Sequence, residues 1–302
     1  MKTFLASRFL RLAFALLPLV ALADSPGGGD EIPMKTKAGA STTAAPASAE
    51  AMPDGRSLLR AHVAACGGAD ALEGIQNAVV TSTYAVPAQS MKGTIAIAFA
   101  RPDKILSRGE MTGVGRIEQG YDGTTGWEIN ALTGPRLLGS LELEQLRNSE
   151  SNVFNLQDLD RLYAKAQTTG RTEFAGKQAW EVTLTSASGR ETIAYFDPSS
   201  SLMTGMKTTV ASQLGEIPAT ITLSDYKSFG KLKLPTRSSQ SLLNGMVEAT
   251  STIDSVEMNV GAGKLPSFAP PAEIQELLAE GGAAEGAAAE GAAPELELVP
   301  GE

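Results

Sequence analysis

His62 and Cys66 are the residues of this chain whose types most readily take part in chemistry, and each is the only one of its kind. A spacing of four residues puts them on one face of a predicted helix, where two metal ligands could meet. A catalytic nucleophile would instead need a base within hydrogen-bonding reach and a third group to orient that base. Only carboxylates could complete either kind of site. We therefore predict no metal site here, and a packed helix face in which Cys66 acts as a small apolar residue.

Motifs for phosphate binding, nucleotide binding and serine hydrolysis are incomplete or absent. Gly170 to Lys177 resembles a phosphate-binding loop, but it has one residue too many between its glycines, and Gln178 follows where Ser or Thr is required. Gly113-Val114-Gly115 lacks the third glycine of a dinucleotide loop. The pair Glu142 and Glu144 is typical of a solvated helix start. The sequence predicts a protein that is not an enzyme and has no cofactor. A hydrolase that uses unrecognised carboxylates is the remote alternative.

The first 23 residues are typical of a cleavable secretory signal peptide. Three basic residues precede an apolar stretch from Leu12 to Val20, and Ala21 and Ala23 supply small side chains at the cleavage positions. The apolar stretch is shorter than the roughly 20 residues that a membrane span needs. Asp24 follows, where a bacterial lipoprotein would carry its lipid-accepting cysteine. We expect a periplasmic protein without a lipid anchor and without a transmembrane segment in the mature chain.

The charge of the chain is concentrated at its C-terminal end. The formal net charge is −9, and the segment from Glu273 to Glu302 holds eight glutamates and no lysine or arginine. The rest of the chain has no basic stripe that could meet phosphates, which argues against nucleic-acid binding. A single cysteine also excludes an internal disulfide, so stability must come from a hydrophobic core.

Composition divides the mature chain into three parts. Residues 24–53 are mostly small and polar and are predicted to form a flexible linker. Residues 54–268 are predicted to fold, beginning with a helix that Asp54 caps and that Gly67 and Gly68 end. Residues 269–302 are rich in Ala, Glu and Gly and are predicted to be a disordered acidic tail, with transient helix around Pro271 to Ala279.

Alternating apolar and polar residues dominate the folded part. Ile95, Ile97 and Phe99 fall on one face of a predicted strand, and turn signals such as Asn244-Gly245 separate similar runs. We predict about eleven strands between Ala78 and Val260, interrupted by a helical stretch from Leu141 to Lys165. So long and strongly twisted a sheet curls on itself. The predicted fold is mainly β (α+β), an unclosed curved antiparallel β-barrel with helices packed on its concave side.

Four local patterns and the end of the first helix carry a family resemblance. The patterns are Phe99-Ala100-Arg101-Pro102-Asp103-Lys104, Tyr121-Asp122-Gly123-Thr124-Thr125-Gly126-Trp127, Tyr195-Phe196-Asp197-Pro198, and Tyr226-Lys227-Ser228-Phe229-Gly230 followed by Lys233-Leu234-Pro235-Thr236-Arg237. Together with Cys66-Gly67-Gly68, they resemble the LolA-like family of periplasmic outer-membrane lipoprotein-sorting proteins, over roughly Leu58 to Val260. The resemblance implies an unclosed barrel with a helical lid over an apolar cavity. It also implies that Arg101 lies at the lid or mouth, where the family's carriers use the Arg of an Arg-Pro hairpin.

The predicted function follows from the apolar faces and from the resemblance. We expect a carrier or binding protein, present as a monomer, that shelters a lipid or the acyl chains of a lipidated protein. The alternative is a regulatory or sensor domain that binds another envelope protein. The candidate cavity residues are predicted to point to the concave side, where they either line such a cavity or fill a packed core. They are Ile95, Ile97, Phe99, Trp127, Ile129, Trp180, Val182, Leu184, Ile221 and Leu223.

Overall fold

A computed structural model describes residues 52–68, 70–71, 74–131, 133–154, 162–212 and 215–280. The predicted signal peptide, nearly all of the predicted linker and the acidic residues after 280 lie outside the described residues. The predictions made for those segments therefore stay predictions.

The first helix, α1, spans Gly55–Ala65 and is capped as its sequence predicts. The Asp54 carboxylate accepts a hydrogen bond from the Ser57 backbone N–H at 2.9 Å, which satisfies one of the free donors of the first turn. After the C-cap residue Cys66, Gly67 and Gly68 take φ values of +119° and +79°. These backbone angles favour glycine and turn the chain away from the helix.

Six strands follow α1 and lead to a second helix. They are β1 (Asn77–Val86), β2 (Met91–Ala100), β3 (Lys104–Met111), β4 (Gly115–Tyr121), β5 (Gly126–Asn130) and β6 (Gly134–Leu137). The second helix, α2, spans Ser140–Phe154 and lies within the predicted helical interruption. A one-turn 3₁₀ helix, Pro87–Gln89, joins β1 to β2.

Seven more strands and a final helix complete the described chain. The strands are β7 (Tyr163–Phe174), β8 (Lys177–Ser186), β9 (Glu191–Phe196), β10 (Met203–Ser212), β11 (Gly215–Phe229), β12 (Leu232–Leu242) and β13 (Val247–Met258). A short 3₁₀ helix, Ala262–Lys264, precedes the final helix α3, residues 272–280. Asn244 and Gly245 both have positive φ in the β12–β13 hairpin, as the Asn-Gly signal predicts.

All of these strands form one antiparallel sheet in the order β6-β5-β4-β3-β2-β1-β13-β12-β11-β10-β9-β8-β7. Strands β6 and β7 are its two edges, so the sheet is not closed. The thirteen strands exceed the predicted eleven, and the two edge strands have the weakest sequence signals. The sequence of β6 is Gly-Pro-Arg-Leu. Most residues of β7 are polar, so this strand packs little apolar surface. The predicted mainly β, unclosed and curved architecture is confirmed.

One face of the sheet carries the helices α1 and α2 and is called the concave face here. Register places Ile95, Ile97 and Phe99 together on this face, as their alternation predicts. A first core cluster joins Leu58 and Leu59 of α1 to it, together with residues of β1 to β4, α2, β7 to β9 and β12. A second cluster brings residues from opposite halves of the sheet together, among them Met91, Met111, Val210, Ile217 and Leu242. This cluster extends without a gap across the neighbouring strands from β4 to β10 in the sheet order.

The segment after the last strand differs from its prediction. Residues 272–280 form α3, and Ile274 on this helix is fully buried against Leu106 and Trp127. The prediction of a disordered tail from residue 269 is therefore wrong up to residue 280. The reason is tertiary, because the convex face of β3 to β5 offers an apolar patch that the composition of the tail does not reveal.

Candidate functional site

Among the side chains on the concave face that remain half-buried, six lie together in the middle of the sheet. Register connects them: Ser251 pairs with Ser238, Ser238 pairs with Leu223, and Val80 links the positions of Ile97 and Val256. They occupy β2, β11, β12 and β13 in the middle of the sheet. We call this set the inner wall, and it consists of Ile97, Leu223, Ser238, Ser251, Ile253 and Val256.

The inner wall lies between the two core clusters. Ile97, Ile253 and Val256 pack against the first cluster, while Ile97 also touches the second. Apolar side chains at the centre of a domain of this size are normally covered. Accessible apolar surface inside the curled sheet is therefore a surface that a second molecule can cover, with a gain in free energy.

A β-bulge in β13 explains why the sequence does not reveal the part of this wall that β13 contributes. Thr81 pairs with Ser255 but Ser82 pairs with Ile253, so the bulged strand gains one residue at this point. Ile253 and Val256 consequently share a face at a spacing of three, which breaks the period of two on which strand predictions rely. Only the pairing with β1 shows that both point inward.

The predicted cavity residues are divided by the structure. Ile97 and Leu223 belong to the inner wall. Six others are buried within core clusters or beside them on the concave face, and they are Ile95, Phe99, Trp180, Val182, Leu184 and Ile221. These six fill the core, which is the alternative that the sequence left open for them.

Trp127 and Ile129 lie on the opposite, convex face. Trp127 pairs with Gly120 and Ile129 with Glu118, and these positions alternate with the concave ones at Gln119 and Tyr121. A Cβ atom at Gly120 would lie 2.3 Å from the Trp127 ring, so the glycine makes room for the indole. The prediction that both residues face the concave side is wrong. Because α3 covers this part of the convex face, apolar residues are buried on that face as well.

An ion cluster fastens the start of α2 to the sheet. The Arg136 guanidinium donates to Glu128 at 2.6 Å and to Glu142 at 2.8 Å, and Glu142 also accepts from the Gly139 backbone N–H at 3.0 Å. Burial raises the pKa of Glu128 even though Arg136 is beside it. Further along α2, the Arg147 guanidinium lies 5.4 Å from the centre of the Tyr121 ring. These interactions hold α2 against the sheet at its β6 edge.

His62 and Cys66 form part of the first core cluster and its surroundings. His62 Nδ1 accepts a hydrogen bond from the Met203 backbone N–H at 3.2 Å, and Cys66 Sγ lies 3.7 Å from the same nitrogen. Burial lowers the pKa of His62 to about 4 and raises the pKa of the Cys66 thiol to about 11. The thiol stays protonated at neutral pH, so it is a poor nucleophile and a poor metal ligand.

Neither a metal-binding cluster nor a membrane-spanning helix occurs in the described part of the chain. No group of three or more His, Cys, Asp or Glu side chains there could hold a metal ion. No helix in the same part combines the length and the apolar character that crossing a bilayer requires.

Comparison with known proteins finds similarity in structure only. No protein-family model matches the chain, and no curated protein matches it. A LolA superfamily protein from Nitrosomonas europaea is 11% identical, with 72% of this chain and 98% of that chain covered and a TM-score of 0.46. A putative outer membrane lipoprotein-sorting protein domain from Vibrio parahaemolyticus is 10% identical, with 70% of this chain and 96% of that chain covered and a TM-score of 0.45. A DUF1329 family protein from Desulfovibrio piger is 11% identical, with 69% of this chain and 94% of that chain covered and a TM-score of 0.46. These likenesses concern the fold alone.

Arg101, the residue of the LolA-like Arg-Pro motif, lies at the turn between β2 and β3. Its Nε donates to the Ile75 carbonyl at 2.7 Å, and its backbone N–H donates to the Gln76 carbonyl at 2.9 Å. Both acceptors belong to the segment between α1 and β1. Arg101 thus ties that segment to the β2–β3 turn, and its predicted place at the lid or mouth of a cavity stays a prediction.

Proposed function

We propose that this protein binds a lipid, or the acyl chains of a lipidated partner, against the inner wall and carries or stores it in the periplasm without reacting with it. The half-buried apolar side chains inside the curled sheet are the observation that carries the proposal. The periplasmic location rests on the signal peptide predicted from residues 1–23.

The magnitude of the expected binding suits a carrier. Each methylene that leaves water contributes about 0.8 kcal/mol, so ten methylenes contribute on the order of 8 kcal/mol. The loss of translational and rotational freedom on binding offsets a large part of this gain. The net affinity is then strong enough to hold one acyl chain and weak enough to release it.

The first test asks whether lipid accompanies the protein. Native mass spectrometry of the full-length protein, purified from its own cell envelope, should show a mass increment that solvent extraction removes. The delipidated protein should then bind N-phenyl-1-naphthylamine, a neutral apolar probe that fluoresces in apolar surroundings. A bare protein mass together with no probe fluorescence would refute the proposal.

A pair of neighbouring variants locates the binding surface. Val256→Gln places a polar group on the inner wall, whereas Ser255→Gln makes a comparable change at an exposed position next to it. We expect the first to weaken probe binding about fourfold for each methylene-sized group that no longer packs against the probe, and the second to leave it unchanged. Equal effects of both changes would place the binding surface elsewhere.

A second candidate function is the binding of another envelope protein at the open edge of the sheet. It is favoured by Leu137 on the edge strand β6, which is 42% exposed, and by Leu141 at the start of α2, which is 37% exposed. Leu137→Glu should abolish such an interaction and leave binding of the apolar probe intact. Loss of probe binding in this variant would count against the second function.

A further inference from the structure

Side chains that can form hydrogen bonds cluster in one region of the concave face. Ser251 pairs with Tyr84 of β1 on one side and with Ser238 of β12 on the other, so the three lie in one row. Ser82 and Gln240 lie on the same face, each two residues from this row but on opposite sides of it, where they pair with Ile253 and Ala249 of β13. We call these five residues the hydroxyl tier, and they adjoin the apolar residues of the inner wall.

The hydroxyl group of Tyr84 has no hydrogen-bond partner within the described part of the protein, although the residue is only 3% exposed. Leaving a buried hydroxyl without a partner is unfavourable, and native proteins rarely do so. Burial raises the pKa of Tyr84, so the hydroxyl stays protonated and remains a hydrogen-bond donor. It is therefore an unsatisfied hydrogen-bond donor inside the sheet, which the acceptor of a bound molecule would satisfy.

On the strands that neighbour this donor, the concave face carries no charged side chain. The positions that share its face on β1, β2, β12 and β13 hold only apolar, hydroxyl, amide and glycine residues along their paired lengths. An ionised phosphate or carboxylate placed there would lose its hydration without gaining a counter-charge, at a cost of several kcal/mol. Elsewhere in the described part of the chain, the guanidinium groups of Arg136 and Arg190 both already have partners. Arg136, half-buried at the β6 edge, is bound by Glu128 and Glu142, and Arg190, immediately before β9 and 4% exposed, also takes part in an interaction.

We propose that the hydroxyl tier receives an uncharged hydrogen-bonding group of the bound lipid, such as an ester, a hydroxyl or an amide. The cargo is then a neutral lipid and not an anionic phospholipid or a free fatty acid. Tyr84 donates to the polar group of the lipid, Ser238 and Ser251 lie beside it, and the alkyl part covers the apolar inner wall. This inference rests on the proposed function, because it assigns the polar end of the same ligand.

Competition between two lipids of equal chain length tests the inference. The delipidated protein is loaded with N-phenyl-1-naphthylamine, and the probe is displaced at pH 8 by a monoacylglycerol or by the fatty acid with the same chain. We expect the monoacylglycerol to bind at least tenfold more tightly, because only the fatty acid brings an ionised group to the uncharged tier. Phosphatidylglycerol should displace the probe as poorly as the fatty acid.

Two conservative variants separate the role of Tyr84 from general packing. Tyr84→Phe should weaken monoacylglycerol binding about fivefold, the effect of one hydrogen bond, and leave the affinity for the probe unchanged. Tyr195→Phe is the matched control, since Tyr195 is buried on the convex face and stacks on Phe174 at 4.0 Å. It should change neither affinity.

The outcomes distinguish this inference from the proposed function. Equal affinity for the fatty acid and the monoacylglycerol, or an unchanged monoacylglycerol affinity in Tyr84→Phe, would overturn the uncharged-headgroup inference while lipid binding itself stands. Failure of the wild-type protein to bind the probe or any of the lipids would overturn the proposed function, and the inference with it.

Discussion

At the residue scale, several buried polar side chains have backbone groups as hydrogen-bond partners. His62 is the clearest case, because its ring packs edge-on against Phe196 and its Nδ1 accepts the Met203 N–H. The ring is neutral in this position, since burial lowers its pKa to about 4. The only histidine of the chain therefore contributes to stability and not to chemistry.

This burial predicts a pH dependence of stability. Below pH 6.5 the unfolded chain binds a proton at His62 that the folded protein does not bind until about pH 4. The contribution of His62 to stability is thus complete above pH 6.5 and is lost progressively as the pH falls to about 4, by at most about 1.4 kcal/mol per pH unit. His62→Asn keeps an acceptor for the Met203 N–H but does not titrate.

Urea unfolding of both proteins between pH 7 and 5 measures this contribution. The wild type should lose more stability than the variant over this interval, while carboxylates affect both alike. Parallel profiles would show that His62 titrates normally in the folded protein, in disagreement with its burial.

At the element scale, two helices attach to the sheet by different means. α2 is fastened at its start by the Arg136 cluster and inserts Leu146 into the first core cluster. α3 lies on the convex face and is held by Ile274, which is fully buried against Trp127 and Leu106. An ion pair at 3.9 Å between Arg116 and Glu273 adds little, because both groups are half exposed.

Undocking of α3 should be detectable through Trp127. Ile274→Asp places a carboxylate against the indole and should release the helix, with a loss of about 2 to 4 kcal/mol of stability. In a Trp180→Phe background, the emission of Trp127 should shift to longer wavelength as the ring becomes exposed to water. Leu278→Asp is the control, since Leu278 is already 38% exposed and should cause little change.

Truncation provides an independent check on the same element. A chain that ends at Glu280 should unfold at nearly the same temperature as the full chain, whereas a chain that ends at Phe268 should resemble Ile274→Asp. A large loss of stability in the first truncation would show that residues after 280 also dock.

At the scale of the whole molecule, pairing between β1 and β13 joins the first and the last strand of the chain in the middle of the sheet. Strands β1 to β6 form one half of the sheet and β7 to β13 form the other, and this is the ladder by which the halves meet. Trp127 belongs to the first half and Trp180 to the second. Because the second core cluster also takes residues from both halves, we expect the halves to unfold together.

Two single-tryptophan variants test this cooperativity. Trp127→Phe leaves a reporter in the second half, and Trp180→Phe leaves one in the first. In each variant the fluorescence transition in urea should coincide with the loss of far-UV circular dichroism. A fluorescence midpoint clearly different from the dichroism midpoint in either variant would show that one half unfolds separately.

Much of the fold could be predicted because its signals are local. The cap at Asp54, the glycines that end α1, the Asn-Gly hairpin and the alternation of Ile95, Ile97 and Phe99 each depend on a few adjacent residues. The short edge strand β6 and the docking of α3 on the sheet escaped prediction. Both depend on surfaces that only the assembled sheet provides.

The candidate site was predicted less completely, for two physical reasons. Alternation shows which residues share a face of a strand, but not whether that face points into the curled sheet, as Trp127 demonstrates. Alternation also fails at the bulge that brings Ile253 and Val256 to the same side.

The sequence by itself determined the mainly β class, the helix boundaries near Asp54 and Gly67, and the concentration of negative charge after Glu273. Tertiary structure alone decided which apolar residues fill the core and which stay accessible on the inner wall. That choice depends on the pairing of β1 with β13, which are far apart in the chain, and on the packing of side chains from both halves of the sheet in the second cluster. Burial is a property of neighbours, and these neighbours are distant in the sequence.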